Sequence, residues 1–312
     1  MLRIVVVSGL VMLLVHAVRY RFVMRRSRAA EAARLPVGAD GIVPGAGSFT
    51  LDGSVTHAVL LVHGFGDTTQ SLQQLAEHLC AVHGWSVRVM RLPGHGGTLA
   101  DFDATSASAW RTAVHQEYGA LRRRFDVVGM VGLSMGGALT TIEAAQHPDL
   151  PALVLLAPYL TPSAGAERLS PIAGLINLLT PYLAGGDRTR SIFDPVARAR
   201  TLGAGAAPTA RIRDLVAVAH DACDTASAVR APVRLVHSTT DYRIPSVFAE
   251  RHAALFTGAA SCELVWVTGG GHVITVDYCR DEVFALTADW LARHAGAPRA
   301  PGVPSAPIVA AP

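Results

Sequence analysis

The feature that constrains this chain most is Gly132-Leu133-Ser134-Met135-Gly136-Gly137, set directly after the apolar run 126–133 and directly before a helix-like segment, 136–146, closed by Pro148. A serine at so sharp a strand-to-helix turn adopts a strained backbone that lifts its hydroxyl above a sheet edge. Side chains two residues away on either side would collide there, which accounts for the two flanking glycines. The helix N-terminus beneath the serine favours developing negative charge. Gly-x-Ser-x-Gly is common by chance; the strand before it and the helix after it give it weight.

The same rhythm runs through the chain. Apolar runs at 58–62, 86–90, 126–133, 152–157, 233–237 and 262–267 read as strands, and segments near 71–83, 106–124, 136–146 and 281–294 have helical spacing. The runs are continuous in Val, Leu and Ile instead of alternating, so the strands are buried on both faces. Strands of that kind between helices predict an α/β fold, a mostly parallel sheet flanked by helices. The rhythm breaks between Tyr159 and Arg230, too long a gap for a plain loop, so residues 159–231 read as an inserted helical lid within a domain spanning 48–295. Residues 35–47, rich in Gly and Pro, read as a linker, and the Pro/Ala-rich tail 296–312 as disordered.

Mean hydropathy above zero rules out wholesale disorder. Residues 1–34 carry seven arginines against one acid, Glu31, whereas the rest carries twenty arginines against twenty-three acids. The positive charge therefore sits on the N-terminal segment, which argues against nucleic-acid binding by the folded body. The apolar run 4–18 would span about 22 Å as a helix, short of a hydrocarbon core of about 30 Å. Extending it to Tyr20, with Arg3 and Arg19 snorkelling, closes the gap. Arginines at 19, 21, 25, 26 and 28 follow the run, the reverse of a cleaved signal peptide, and place that flank on the cytoplasmic side. The expectation is a membrane anchor with the catalytic domain cytoplasmic, the alternatives being a secreted or a soluble cytoplasmic protein. The four cysteines lie far apart with no CxxC pair, and the spacing of the thirteen histidines offers no metal-ligand set, so neither a disulfide framework nor a metal is expected.

A serine nucleophile needs a base and a group to orient that base, and in this arrangement they follow later strands in the order acid, then histidine. Asp241 follows the strand at 233–237, and His272 follows Thr268-Gly269-Gly270-Gly271 after the strand at 262–267. Asp214, Asp221 and Asp224 compete weakly as the acid, and Asp277 reads as a cap for the last helix. Two donors should hold an oxyanion: the backbone N–H of Met135, and one from the turn His63-Gly64-Phe65-Gly66, assigned to Phe65. His63 and His95 read as structural residues of their turns.

These motifs together resemble the α/β-hydrolase superfamily, and most closely bacterial carboxylesterases and monoacylglycerol-lipase-like lysophospholipases. The likeness covers roughly residues 50–295. It implies an eight-stranded sheet with a lid after strand six, a Ser134–Asp241–His272 triad, no cofactor, and a small-molecule or lipid ester as substrate. Thioesterase, acyltransferase and aminopeptidase activities share the triad, and a catalytically silent binding protein on the same fold is a further alternative.

Overall fold

The computed structural model describes residues 2–162, 164–185 and 187–296. In chain order the elements are α1 (Leu2–Arg34), β1 (Phe49–Leu51), β2 (His57–Val62), α2 (Gln73–Ala81), β3 (Ser86–Met90), α3 (Leu99–Asp103), α4 (Ala107–Arg122), β4 (Val127–Leu133), α5 (Met135–Ala144) and β5 (Leu153–Leu156). An insertion follows, with α6 (Ala164–Leu169), α7 (Ala173–Leu179), β6 (Tyr182–Ala184), α8 (Pro195–Arg200), β7 (Ala206–Pro208) and α9 (Arg211–Thr225). The core resumes with β8 (Val233–Ser238), α10 (Val247–Ala253), β9 (Cys262–Val267) and α11 (Arg280–Ala295).

The central sheet runs β1-β3-β2-β4-β5-β8-β9, with β1 antiparallel to β3 and every other pairing parallel. Among the described residues it has seven strands, one fewer than expected, so the insertion follows the fifth strand and not the sixth. The stretch before β1 explains the difference. Gly41 and Gly45 take positive φ there, and the backbone bonds locally or to the Gly96 carbonyl instead of extending the sheet. Residues 35–47 are accordingly no loose tether: Val43 and Ala46 are buried against the core. The insertion is not purely helical either, since β6 and β7 form an antiparallel ribbon within it.

Burial on both strand faces follows from side chains alternating across the sheet. Ala58, Leu60 and Val62 of β2 join the layer that holds Trp110, Val114 and Tyr118 of α4. Val59 and Leu61 join the opposite layer, with Leu75 and Leu79 of α2 and Trp290 and Leu291 of α11. At about 1.5–3 kcal/mol for each fully buried aliphatic or aromatic side chain, these two layers supply the main driving force for folding.

The end of α1 is tied to the insertion. Arg28 Nε donates to Tyr182 Oη at 2.8 Å, the Gly205 N–H donates to Glu31 at 2.9 Å, and an Arg34 N–H donates to the Gly203 carbonyl at 2.7 Å. Among the described residues no helix is long and apolar enough to cross a membrane. Most side chains of the apolar run 4–18, and all of the tail beyond Gly296, lie outside the described residues.

Candidate active site

The turn between β4 and α5 puts Ser134 at φ 54° and ψ −118°, a backbone conformation that non-glycine residues avoid. A Cβ at Gly136 would collide with the Val62 carbonyl oxygen. One at Gly132 would collide with the Gly136 carbonyl oxygen and Thr140 Oγ1. Hydrogen bonds hold the strained turn from below: the Ser134 N–H donates to Leu156 O at 2.9 Å, and Ser134 O accepts from Gly137 and Tyr159. Ala157, just past β5, also has positive φ (42°), so two strained non-glycine residues flank the same spot.

Three sequence-predicted side chains meet above this turn. His272 Nε2 lies 2.9 Å from Ser134 Oγ, and His272 Nδ1 lies 2.7 Å from Asp241 Oδ2. The other Asp241 oxygen accepts the backbone N–H groups of Arg243 (2.7 Å) and Ile244 (2.9 Å). Burial works to raise the Asp241 pKa. The charge and hydrogen bond of His272 and the Ile244 N–H outweigh it, holding the carboxyl below its ordinary value. An ionised Asp241 fixes the Nδ1–H tautomer of His272 and leaves Nε2 free to accept the serine proton.

Met135 opens α5, where the first N–H groups of a helix have no intrahelical acceptor. The turn carrying Phe65 packs alongside, so closely that a Cβ on Gly64 would sit 3.0 Å from Ser134 Cβ. Phe65 is held by its ring, which contacts those of His95, Phe102 and Trp110. His63 turns away from Ser134: its Nε2 accepts the Leu92 N–H at 3.1 Å, so Nδ1 donates to Gly64 O. His95 packs against His63 and Phe102.

Burial lowers the pKa of His63 and of His252 to about 4, and that of His95 well below its ordinary value. The unfolded chain takes up protons at these imidazoles below about pH 6.5, whereas folded His63 and His252 refuse them until about pH 4. Each histidine shifted to about 4 therefore withdraws about 3 kcal/mol of stability over that interval. Asp67 acts oppositely, because burial raises its pKa to about 6 and the folded chain binds its proton first on acidification. The losses at His63 and His252 exceed the gain at Asp67 by about 3 kcal/mol between pH 7 and pH 4, and the lowered pKa values of His95 and His237 act in the same direction. Urea midpoints measured across that range should fall steadily; a flat profile would contradict the assignment.

Asp277 does not cap the last helix. α11 begins at Arg280 with Cys279 before it. The buried Asp277 carboxylate collects four backbone N–H groups instead: Oδ2 accepts from Gly271 (2.7 Å) and Phe193 (2.7 Å), and Oδ1 from Asp194 (2.9 Å) and Tyr278 (3.0 Å). It thereby locks the residue before His272 to the insertion. His237 also escaped the sequence reading. It lies buried at the end of β8, donating from Nε2 to Ile244 O at 2.9 Å, and burial lowers its pKa. A histidine inside an apolar strand was the available signal. Asp214 accepts the Ala107 N–H at the start of α4, and Asp221 pairs with Arg111, so neither reaches the site.

The model of the family described as Hydrolase_4, serine aminopeptidase S33, matches residues 53–278. The chain belongs to this family. Within the α/β-hydrolases it is 30% identical to the thermostable monoacylglycerol lipase of Bacillus sp. (strain H-257) over 244 residues, 76% of this chain and 91% of that protein. A solved structure from work on LipS and LipT, two metagenome-derived lipolytic enzymes, superposes with a TM-score of 0.70 at 28% identity, covering 81% of this chain and all of that one. A soluble variant of the Saccharomyces cerevisiae monoglyceride lipase, solved with a substrate analogue, gives 0.67 at 19% identity over 80% of this chain and 91% of its own, a likeness of fold.

In this family member a cavity of about 440 Å³ opens over Ser134 and His272, within the range of small-molecule sites. Its roof comes from the insertion, chiefly Leu183, Ile192, Ala207, Ile212 and Leu215, and its floor from Gly64 to Asp67.

Proposed function

We propose that this hydrolase cleaves carboxylic esters with an apolar acyl chain, through an acyl-enzyme on Ser134, and that residues 159–231 are the lid that shapes its pocket. Ser134 Oγ attacks the ester carbonyl while His272 Nε2 takes its proton, and the N–H groups of Met135 and Phe65 hold the oxyanion. His272 then gives the proton to the departing alcohol. A water deprotonated by the same nitrogen attacks the acyl-enzyme and releases the acid. Asp241 stays ionised throughout and steadies the imidazolium.

The unbroken Asp241–His272–Ser134 relay beneath an apolar roof carries this reading. An aminopeptidase on the same triad needs carboxylates for a free amine. Among the residues lining the cavity, Asp67 is the sole acid, against Arg188 and Arg243. A panel of p-nitrophenyl esters from short to long acyl chains should give the highest kcat/KM at medium or long chains, with amino-acid p-nitroanilides hydrolysed at least about a hundredfold more slowly. Faster anilide cleavage would overturn the ester assignment.

The arginine-flanked N-terminal segment supports a second element of the reading, attachment to the cytoplasmic face of a membrane through residues 4–18. Fractionation of the full chain against one lacking residues 1–20, which keeps Arg28, Glu31 and Arg34 in place, tests it. Equal recovery of both in the soluble fraction would remove it.

A further inference from the structure

His115, Glu143 and His147 form a three-donor cluster on the outer layer, away from Ser134, and their ligand atoms lie within 4.8 Å of one another. Sequence spacing hides it, because His115 comes from α4, Glu143 from the last turn of α5 and His147 from the turn just past that helix. Glu143 Oε1 is the shared centre, 3.0 Å from His115 Nδ1 and 2.7 Å from His147 Nε2. The Glu143 side chain is 4% exposed, His147 28% and His115 61%, so the cluster faces solvent on one side and closes on a buried carboxylate on the other. Of the α4 guanidinium groups, Arg122 pairs with Asp149 and Arg111 with Asp221. The ring of Tyr118 packs on that of His147 and fixes its plane.

We propose that these residues bind a divalent transition-metal ion of the zinc class, with His115 Nδ1, His147 Nε2 and Glu143 Oε1 as ligands and water completing the shell. Two imidazoles and one carboxylate form the borderline donor set that zinc, cobalt and nickel prefer over magnesium or calcium. Tetrahedral ligands at 2.0–2.1 Å from the ion stand about 3.3 Å apart. The two nitrogen–oxygen separations, 3.0 and 2.7 Å, therefore widen by about 0.3 and 0.6 Å, and the two imidazole nitrogens, within 4.8 Å of each other, settle to a similar spacing as the protons now held between nitrogen and oxygen give way to the ion. Exposed His115 can make that movement by side-chain rotation alone. The ion would clamp α4 to the end of α5, the helix whose first turn underlies Ser134. Glu143 lies eight residues beyond Met135, about 12 Å along the axis, so the clamp braces the helix without touching the reacting atoms.

The test is a Co²⁺ titration of the chelator-treated full-length protein, read by absorption, by thermal midpoint and by ester hydrolysis. The expected result is one ion per chain, a visible d–d band without thiolate charge transfer, a raised midpoint and unchanged hydrolysis. His115→Ala, which alters an exposed side chain, should weaken binding at least about a hundredfold, since losing even an outer partner of a ligand costs 10–100-fold. His147→Gln keeps an N–H donor for Glu143 but removes the imidazole, so it should also abolish binding while the metal-free midpoint stays near the native value. No saturable binding up to about 1 mM would overturn the proposal and leave a hydrogen-bonded helix cap. So would binding that survives His115→Ala, whether it shows thiolate charge transfer or inhibits hydrolysis by occupying His272 and Asp241.

Discussion

Ser134→Ala lowers kcat for ester hydrolysis by about 10⁴–10⁶-fold, His272→Ala does nearly the same, and the double variant is no worse than either single one. In the proposed mechanism the Ser134 hydroxyl and the His272 imidazole, 2.9 Å apart, are useful only together, because the hydroxyl attacks as the imidazole takes its proton. What survives is the contribution of the oxyanion donors and of binding, on the order of 10³-fold over water. Single-turnover kinetics on a chromogenic ester, with fluorophosphonate labelling as a second readout, measures both. Labelling that persists in Ser134→Ala would place the nucleophile elsewhere. Multiplicative losses in the double variant would mean that the two residues act independently and that the relay is not the catalytic unit.

Asp277→Ala should be the most damaging substitution outside the relay. It strips the acceptor from four backbone N–H groups around a side chain that is fully buried. Stranding buried donors costs about 1–3 kcal/mol each, though not additively, so a loss of at least about 3 kcal/mol is expected from urea unfolding. The loop before His272 loses its tie to Phe193 and Asp194, and displacement of the imidazole by about 1 Å would cut kcat about a hundredfold. Asp277→Asn separates the two effects. Its amide can accept on one side only, so the N–H pair on the other side meets a second donor. That variant should stay folded, keep its KM and lose kcat. An Asp277→Asn enzyme with native kcat would show that the loop is held in register by other means.

Much of this was legible in the chain itself because it rests on local rules. Buried parallel strands announce themselves as continuous apolar runs, and β2, β4, β5, β8 and β9 fall where those runs lie. The serine turn is legible because strand, Gly-x-Ser-x-Gly and helix follow one another locally: Gly132 is imposed by Gly136 and Thr140 just downstream, although the atoms that exclude a side chain at Gly136 are the Val62 and His63 carbonyls from β2 and the turn after it. The order of acid and histidine after later strands was readable because a parallel sheet brings successive strand ends to one edge. Asp277 does not act as the cap that an acid shortly before a helix ordinarily is, because two of its four donors, Phe193 and Asp194, come from a segment about eighty residues earlier. The strand count of eight came from the resemblance, and the sheet has seven among the described residues because the stretch before β1 bonds locally and to Gly96 instead of joining it.

The order of elements, the strained serine, and the residue types able to activate it were determined by the linear chain, since each depends on neighbours within a turn or a strand. The meeting of His272 with Asp241 and Ser134, the four-fold grip of Asp277, the docking of α1 on the insertion and the pairing of His115 with Glu143 and His147 were decided by tertiary structure alone. Each joins segments whose separation along the chain carries no energetic signal until the sheet and its two apolar layers have closed and set the distances between them.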